Sequence, residues 1–439
     1  MTPHHAHSCD HGHDRDRDHG RDRDHGHGHA GPATPYGHVD HHHGGVGRRA
    51  LLSSAGGLLM LAAMPGTARA AHATQAGSAV PLVAASRTSK LTQGTTLVHA
   101  DMHNHTVMSD GDGSAQAAFG SMREAGLDVA ALTDHATLFA IDGLSSGEWN
   151  TQGQLADAAN DPGQFTAVRG FEWSSPLEGH INVWNTGDFA DLLRAAGPGN
   201  LYNWLAARPG GLASFNHPGR EPGRFNEFAF KPSVLQQMVG LEMFNRTDDY
   251  LFEGWSSGKS SPLCVCLNSG WRPGLTGVTD EHGTTWGFHE GKGRSGLWVT
   301  ENTRTAVFEA MRARRSFATR VSGLRVDATA NGVRMGSTIP LASGDVRFLV
   351  DIDRGPDWDG KPLRVQVLRP GTQAPAVVDV VDTVNGAVAD LTVPLNAADG
   401  DWVVLRISDP AVANGTPGPA GHACNDFGVA YTSPWWLQP

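Results

Sequence analysis

The segment "HADMHNHTVMSDGDGS", residues 99–114, places three histidines and three aspartates in a stretch with neither helical nor strand-like amphipathic periodicity. His103 and His105 form an H-x-H pair. On a strand, residues i and i+2 face the same way, so both imidazoles can reach one ion. Asp110 follows in a Ser-Asp-Gly turn. The same residue types recur downstream as Asp134-His135, Glu172, His180, His217, Glu242, Asp280 and His282. Neutral imidazoles combined with carboxylates suit Zn²⁺, Fe²⁺ or Mn²⁺. A single H-x-H, or a single histidine at a strand end, is more often a hydrogen-bonded structural residue. The recurrence carries the inference, because each candidate ligand sits at the same place in its repeat.

The elements that must position these groups alternate along the chain. "TTLVHADMHNHT" reads as a strand ending in polar residues, and "SAQAAFGSMREAG" has helical periodicity, with Ser114 as N-cap and Gly126 as stop. "LDVAALTDH", "FTAVRGFEWS", "GLASFNHPG", "VGLEMFN" and "LTGVTDEHG" each run from apolar residues into His, Glu or Asp. Helical stretches are predicted between some of them, at 232–239 and 302–315. Parallel strands closed into a barrel bring all their C-terminal ends to one face, so distant side chains would converge there. Beyond residue 320 the pattern becomes short β-type runs such as "VRFLVDIDR", "LRVQVLRPG" and "AVADLTVPL", separated by turn residues. That spacing predicts an antiparallel β-sandwich without a ligand cluster.

Composition bounds the remaining possibilities. Residues 1–46 are a low-complexity His/Asp/Arg-rich leader that cannot build a core. It is read as disordered: a solvated extension, or a loose site for Ni²⁺ or Zn²⁺. Residues 47–70 carry Arg48-Arg49, a short apolar run from Leu51 to Met64, and Ala68-Arg69-Ala70. These are the marks of a twin-arginine-type export signal. The run is too short and too rich in Gly and Ser to span a membrane. Residues 71–95 read as a linker, 96–319 as the barrel and 320–439 as the β-sandwich. The expected product is an exported protein, secreted, periplasmic or held in the envelope, with no stable membrane insertion and the twin-arginine export machinery as partner. The net charge of −11 and the lack of a basic tract argue against nucleic-acid binding. Cys264 and Cys266 would share one face of a strand, as buried thiols or as a metal or disulfide pair. The cysteines make no disulfide framework.

"DMHNHTVMSDG", "GLDVAALTDH", "FEWS", "NHPG" and "TDEHG" resemble, in order and spacing, the motifs of the PHP (polymerase and histidinol phosphatase) superfamily. The resemblance covers about residues 96–317. "AVFEAMRARRSFAT" and "AYTSPWWLQP" resemble its exported, carbaryl-hydrolase-like branch, which carries a C-terminal β-domain. The resemblance implies an α/β fold, a distorted (β/α)₇ barrel followed by a small antiparallel β-sandwich domain, with two or three divalent metal ions. It implies that His103, His105, Glu172 and Asp280 hold a first metal. Glu172 would bridge to a second metal on His180 and His217, and Asp110, His135 and His282 would hold a third. Glu242 is not a standard ligand of the family and reads as a hydrogen-bonding support. Asp101 is expected to orient a ligand histidine.

The chemistry implied is hydrolysis by a hydroxide shared between metals, with Glu172 and Asp280 at the reacting centre. Arg272 and Arg220 are candidates for stabilising the leaving group, with a solvated or structural arginine as the competing reading. Trp173, Trp271 and Trp286 either line a pocket for an organic leaving group or pack the core. Three functions follow: a metal-dependent phosphoesterase acting on a small phosphate monoester or diester; a carbamate, ester or amide hydrolase using the same centre; and a non-enzymatic metal-scavenging or sugar-binding envelope protein. The first is the leading expectation.

Overall fold

In the computed structural model, which describes residues 85–138, 143–287 and 289–439, each ligand-bearing segment begins as a short apolar strand. Residues 1–70, read above as a leader and an export signal, lie outside these residues. The strands are β1 (Thr96–Asp101), β2 (Val129–Leu132), β3 (His135–Ala136), β4 (Thr166–Ser175), β5 (Gly179–Trp184), β6 (Leu212–Phe215), β7 (Met238–Asn245), β8 (Asp248–Asp249), β9 (Gly274–Val278), β10 (Arg294–Val299) and β11 (Ser316–Thr319). "VAAL" of β2 and "LASF" of β6 are buried at every position. Continuous apolar runs of this kind mark strands covered on both faces.

β1, β2 and β4 pair in parallel, as do β6, β7 and β9. β5 interrupts the parallel run, pairing antiparallel with both β4 and β6. Its direction matters for the site. A strand that runs backwards begins where its neighbours end, so His180 at the start of β5 lies beside the end of β4. β10 pairs antiparallel with β1, and β11 with β10.

Among the described residues no ladder joins β9 to β1 or β10, so a closed ring of strands is not formed by backbone hydrogen bonds. Side chains fill the seam. The Ser295 hydroxyl accepts from the Gly277 amide at 3.1 Å and donates to the Gly277 carbonyl at 2.9 Å. Gly277 is required there, since a Cβ would meet the Arg294 carbonyl oxygen at 2.5 Å. Asp101, at the end of β1, accepts from the Thr279 amide at 3.2 Å and the Thr279 hydroxyl at 2.5 Å.

Helices flank the sheet. Ala115–Glu124 buries Ala115, Ala118, Phe119 and Met122, the i, i+3, i+4, i+7 stripe of an amphipathic helix. Ser114 occupies its N-cap, but its hydroxyl bonds the Gln116 side chain and not a backbone amide. Gly126 ends the helix region at φ +96°. Ser146–Ala159 starts with a capping box between Ser145 and Glu148. Arg304–Arg312 lies within the predicted 302–315 helix. The predicted 232–239 helix is a correction: only Pro232–Val234 makes a 3₁₀ turn, and Met238 already opens β7. The cysteine strand is another. Cys264 and Cys266 lie on a helix, Pro262–Asn268, started by its first-turn proline, where i and i+2 do not share a face. Both are buried free thiols.

The C-terminal runs form strands as patterned. Arg325–Ala330, Val333–Arg334, Ser343–Asp353 and Val388–Asn396 make a four-stranded antiparallel sheet. Pro362–Arg369, Ala376–Val384, Trp402–Ala413 and Asp426–Thr432 pair antiparallel beside it. Val326, Val350, Leu391, Val365, Leu405 and Val429 belong to one buried cluster across the two sets. This part joins the larger sheet directly, because Asp426–Thr432 pairs with β11. Residues 85–95, expected as linker, are tied to it as well. Ser89 and Thr92 donate to Asp327, and the Lys90 amide donates to Asp351. No helix of the described residues is long and apolar enough to cross a membrane.

The seam yields a test. Ser295→Ala leaves a buried amide and carbonyl of Gly277 without partners, a loss of about 2 kcal/mol. Urea denaturation should show that decrease with an unchanged slope; stability equal to wild type would mean that Ser295 does not hold β9.

Candidate metal centre

The ligand-type residues converge because every supporting strand delivers its end to the same place. After β1 the chain stays extended: the His105 amide donates to the Glu281 carbonyl at 2.9 Å, and the Asp280 amide donates to the His103 carbonyl at 3.0 Å. Side chains alternate along this stretch. Asn104 turns toward the Ala131 carbonyl, while His103 and His105 turn inward. β3 sets His135 directly opposite Glu172 on β4, and β5 sets His180 opposite Ser174. His217 follows β6 and Asp280 follows β9, both with positive φ, 26° and 48°. Such a backbone is uncommon for residues other than glycine, and it clusters at functional sites.

Glu172 is the hub, with no solvent exposure. Its Oε1 lies 3.1 Å from His103 Nε2, 3.2 Å from His180 Nδ1 and 3.3 Å from His217 Nε2. Its Oε2 lies 2.6 Å from His135 Nδ1 and 3.6 Å from His105 Nε2. Asp280 Oδ1 is 3.4 Å from His103 Nε2, 3.2 Å from His105 Nε2 and 3.4 Å from His282 Nδ1. Asp110 Oδ1 closes the outer side, 3.5 Å from His135 Nε2 and 3.4 Å from His282 Nε2.

Four sets of donors are close enough to share an ion: His105, Asp110, His135 and His282; His103, His105 and Glu172; His135, Glu172 and His180; and His180, His217 and Glu221. Eight of the nine residues singled out as metal ligands fall in these sets, which add Glu221; the ninth, Asp280, lies within 3.4 Å of His103, His105 and His282.

The donor chemistry fits cations. His103 Nδ1 lies 2.9 Å from Glu242 Oε1, a partner that fixes the ring proton on Nδ1. In the neutral ring Nε2 then presents a lone pair, 3.1 Å from both Glu172 Oε1 and His105 Nε2. Acceptors facing acceptors in a buried space need a positive species between them. His180 Nδ1 and His217 Nδ1 are also buried without a hydrogen-bond partner.

The titration directions express the same demand. Burial pushes the Glu172 carboxyl up, but His180, His103 and His135 outweigh it and hold the group well below the usual carboxylate range. Asp280 behaves likewise, with burial overcome chiefly by His103 and a hydrogen bond from His105. Burial lowers His103, yet Asp280, Glu172 and Glu242 raise it well above an ordinary histidine. His105 is held well below, by burial and by the neighbouring imidazoles of His282 and His135. His217 is raised to about 9, burial and Arg220 being overcome by Glu221 and Glu172.

Several side chains do other work than expected. Asp101 accepts from the backbone amide of His103 at 3.3 Å, so it braces the main chain and not an imidazole. Glu242 supports His103 and also accepts from the His217 amide at 2.6 Å. Asp134 binds the Thr106 amide at 2.7 Å and the Ser109 hydroxyl at 2.8 Å, holding the loop that carries Asp110. Arg272 is a correction. It precedes β9 whereas Asp280 follows it, so the strand separates them, and the guanidinium lies over Trp436 instead. Trp173, Trp271 and Trp286 pack inside, the first two with indole N–H groups on the Ala195 and Phe228 carbonyls.

Three participants escaped the sequence reading. Arg246 donates to the Asp280 carbonyl at 3.1 Å and to His282 Nδ1 at 3.0 Å. Tyr250 accepts from Arg220 at 2.9 Å. Glu221 lies 3.3 Å from His217 Nδ1. Only Glu221 had a legible signal, a carboxylate four residues after a ligand histidine.

Comparison with known proteins places this geometry among others. A family profile described as a protein of unknown function (DUF3604) matches residues 67–185, the span holding His103 to His180. No curated protein matches. Among solved structures, the chain is similar to a two-domain protein from Bacteroides vulgatus containing a predicted PHP-like metal-dependent phosphoesterase. Identity is 14%, with 80% of this chain and 98% of that chain covered and a TM-score of 0.44. A candidate metal-dependent phosphoesterase from Bifidobacterium adolescentis matches at 14% identity over 42% of this chain and 88% of its own, TM-score 0.27. An amidohydrolase from Chromobacterium violaceum, solved with sulfate and no metal, matches at 12% over 42% and 87%, TM-score 0.26. Activity does not cross a fold at such identities, so the side chains must decide it.

Metal removal tests the centre. An ion at a hundredfold excess over its Kd stabilises by about 2.7 kcal/mol. Chelation should therefore lower the wild-type melting temperature by about 3 to 4 °C. Glu172→Gln should bind the metal at least tenfold more weakly and show a smaller drop. Equal melting curves before and after chelation, with no metal by elemental analysis, would remove the centre.

Proposed function

We propose that the chain is an exported metal-dependent phosphoesterase acting on a small phosphate monoester or diester. The single observation that carries the metal dependence is Glu172, a fully buried carboxylate whose two oxygens face five imidazoles. His103, His105, Glu172 and Asp280 would hold one divalent ion. His180 and His217 across Glu172 would hold another, and Asp110, His135 and His282 a third. These ligand types admit Zn²⁺, Mn²⁺ or Fe²⁺. Divalent ions so held supply Lewis acidity and a water of lowered pKa, near 7 in well-studied hydrolases.

The chain's own residues favour an anionic substrate. Arg220 and Arg246 approach Asp280 Oδ2 at 3.5 and 3.7 Å, with side chains 35% and 31% exposed. Each side chain is partly exposed beside Asp280, and a planar fork of N–H donors matches phosphate oxygens. A neutral carbamate has less use for two cations. Asp280 anchors both arginines, and Glu242 and Asp101 keep His103 in register.

Export is supported by the paired arginines and short apolar run of residues 47–70, with the twin-arginine machinery as the implied partner. The charge of −11 speaks against a nucleic-acid substrate.

The assay is direct. Mature protein loaded with Zn²⁺, Mn²⁺ or Fe²⁺ is given an aryl phosphate monoester, an aryl phosphate diester and an aryl carbamate. Phosphate-ester turnover should dominate, and Arg220→Ala should raise KM for the phosphate ester about tenfold. Turnover of the carbamate with no phosphate-ester hydrolysis under any metal would replace this reading with a carbamate, ester or amide hydrolase.

A further inference from the structure

We propose that the C-terminal strands position Arg220 at the metal centre, through a buried relay running Arg406–Tyr431–Asp249–Tyr250. The inference rests on Arg220 being part of the site described above. Arg406, on Trp402–Ala413, has no exposed surface. It donates from Nη1 to Asp426 Oδ1 at 2.5 Å and to Gln366 Oε1 at 2.7 Å, and from Nε to the Tyr431 hydroxyl at 3.0 Å. With that hydroxyl accepting from Arg406, its own proton goes to Asp249, whose two oxygens lie at 2.9 and 3.0 Å.

Asp249 in turn accepts from the Leu251 amide at 3.1 Å and so caps the short 3₁₀ turn Tyr250–Phe252. That turn holds Tyr250, 2% exposed, with its hydroxyl 2.9 Å from Arg220 Nη2. The remaining arm of Arg220 reaches Asp280. Thr416 tightens the same junction by donating to the Asp249 carbonyl at 2.9 Å.

The residues come from two separate parts of the described chain: Arg220, Asp249 and Tyr250 from around the ligand cluster, and Arg406, Thr416 and Tyr431 from the C-terminal strands and the segment between them. A buried, hydrogen-bonded charge set of this kind is weak evidence for stability, because desolvation offsets much of the attraction. Its geometry explains a different role. Two hydroxyls and one capped turn convert the placement of the C-terminal sheet into the placement of one guanidinium. Arg220 has few other restraints: its side chain is about one-third exposed, and a long side chain left to itself samples many rotamers. Arg220 would touch the substrate; Tyr250, Asp249, Tyr431 and Arg406 are positioning residues.

The test uses the full metal-loaded chain with Tyr431→Phe and Tyr250→Phe, each removing one hydroxyl from opposite ends of the relay. Each variant should raise KM for the phosphate ester about tenfold, with kcat changed less than threefold and metal content unchanged. Combined with Arg220→Ala, neither should add more than twofold to the effect of Arg220→Ala alone, since residues acting through one contact are non-additive. Crystal structures of the variants should show Arg220 moved away from Asp280. A multiplicative effect, or Arg220 unmoved in both variants, overturns the proposal. If the wild type hydrolyses no phosphate ester, the functional reading fails separately. The crystallographic position of Arg220 then decides the relay by itself, and one variant that folds is sufficient.

Discussion

A buried carboxylate with imidazoles on both oxygens is the constraint around which this molecule is organised. Glu172 is fully buried, and the cost of burying an unpaired charge is several kcal/mol. Neutral imidazoles meet the carboxylate with at most one N–H each, and His103 has already committed its Nδ1 proton to Glu242. Two charge states satisfy the cluster: protons on some of the imidazoles, or divalent cations among them. Protons can charge only some of these rings, and His105 is held well below an ordinary histidine. His105 and His282 have centroids 4.0 Å apart, and His105 and His135 4.3 Å, so charging one ring disfavours charging the next. A cation shared by several lone pairs removes that conflict.

The topology follows from the same demand. Side chains scattered over 180 positions reach one point only if their strands end together. Parallel pairing does this for β1, β2, β4, β6, β7 and β9. β5 is the exception that contributes from its start, because it runs the other way. The unladdered seam between β9 and β10 lies next to the cluster, and hydroxyls and a carboxylate close it in place of backbone pairs. Asp101 serves both purposes, fixing Thr279 across the seam and the His103 amide at the site.

Most of the side chains that gather at the site were legible from the sequence because they follow one rule, an apolar run ending in His, Asp or Glu; His180, at the start of the antiparallel β5, obeys no such rule. What was illegible depends on three-dimensional placement that spacing does not encode. Arg272 lies as near to β9 in sequence as Asp280 does, and nothing local states which end of a strand faces the metals. The cysteine pair alternates like a strand, but Pro262 at the first turn and seven continuous residues make a helix. Tyr250 and Arg246 reach the site through a turn after β7 whose residues carry no pattern of their own. Tryptophans were ambiguous for a simpler reason: a large ring fills a core or a pocket equally well, and only its surroundings distinguish the two.

Backbone strain accompanies the gathering of polar groups at this centre. His217, Arg246 and Asp280 all have left-handed φ values, 26°, 51° and 48°. Each such residue costs about 1 kcal/mol or more against its relaxed state. Each is held by bonds that its neighbours would not otherwise need: the His217 amide on Glu242 at 2.6 Å, the Asp280 amide on the His103 carbonyl at 3.0 Å, and the Arg246 amide on the Val278 carbonyl at 3.1 Å. Relaxing any one of them toward an ordinary strand would turn an imidazole, a carboxylate or a guanidinium away from the cluster. Three of the eleven non-glycine residues with positive φ among the described residues therefore carry side chains that face the cluster. This is the expected signature of a site whose geometry is set by the protein before a ligand arrives.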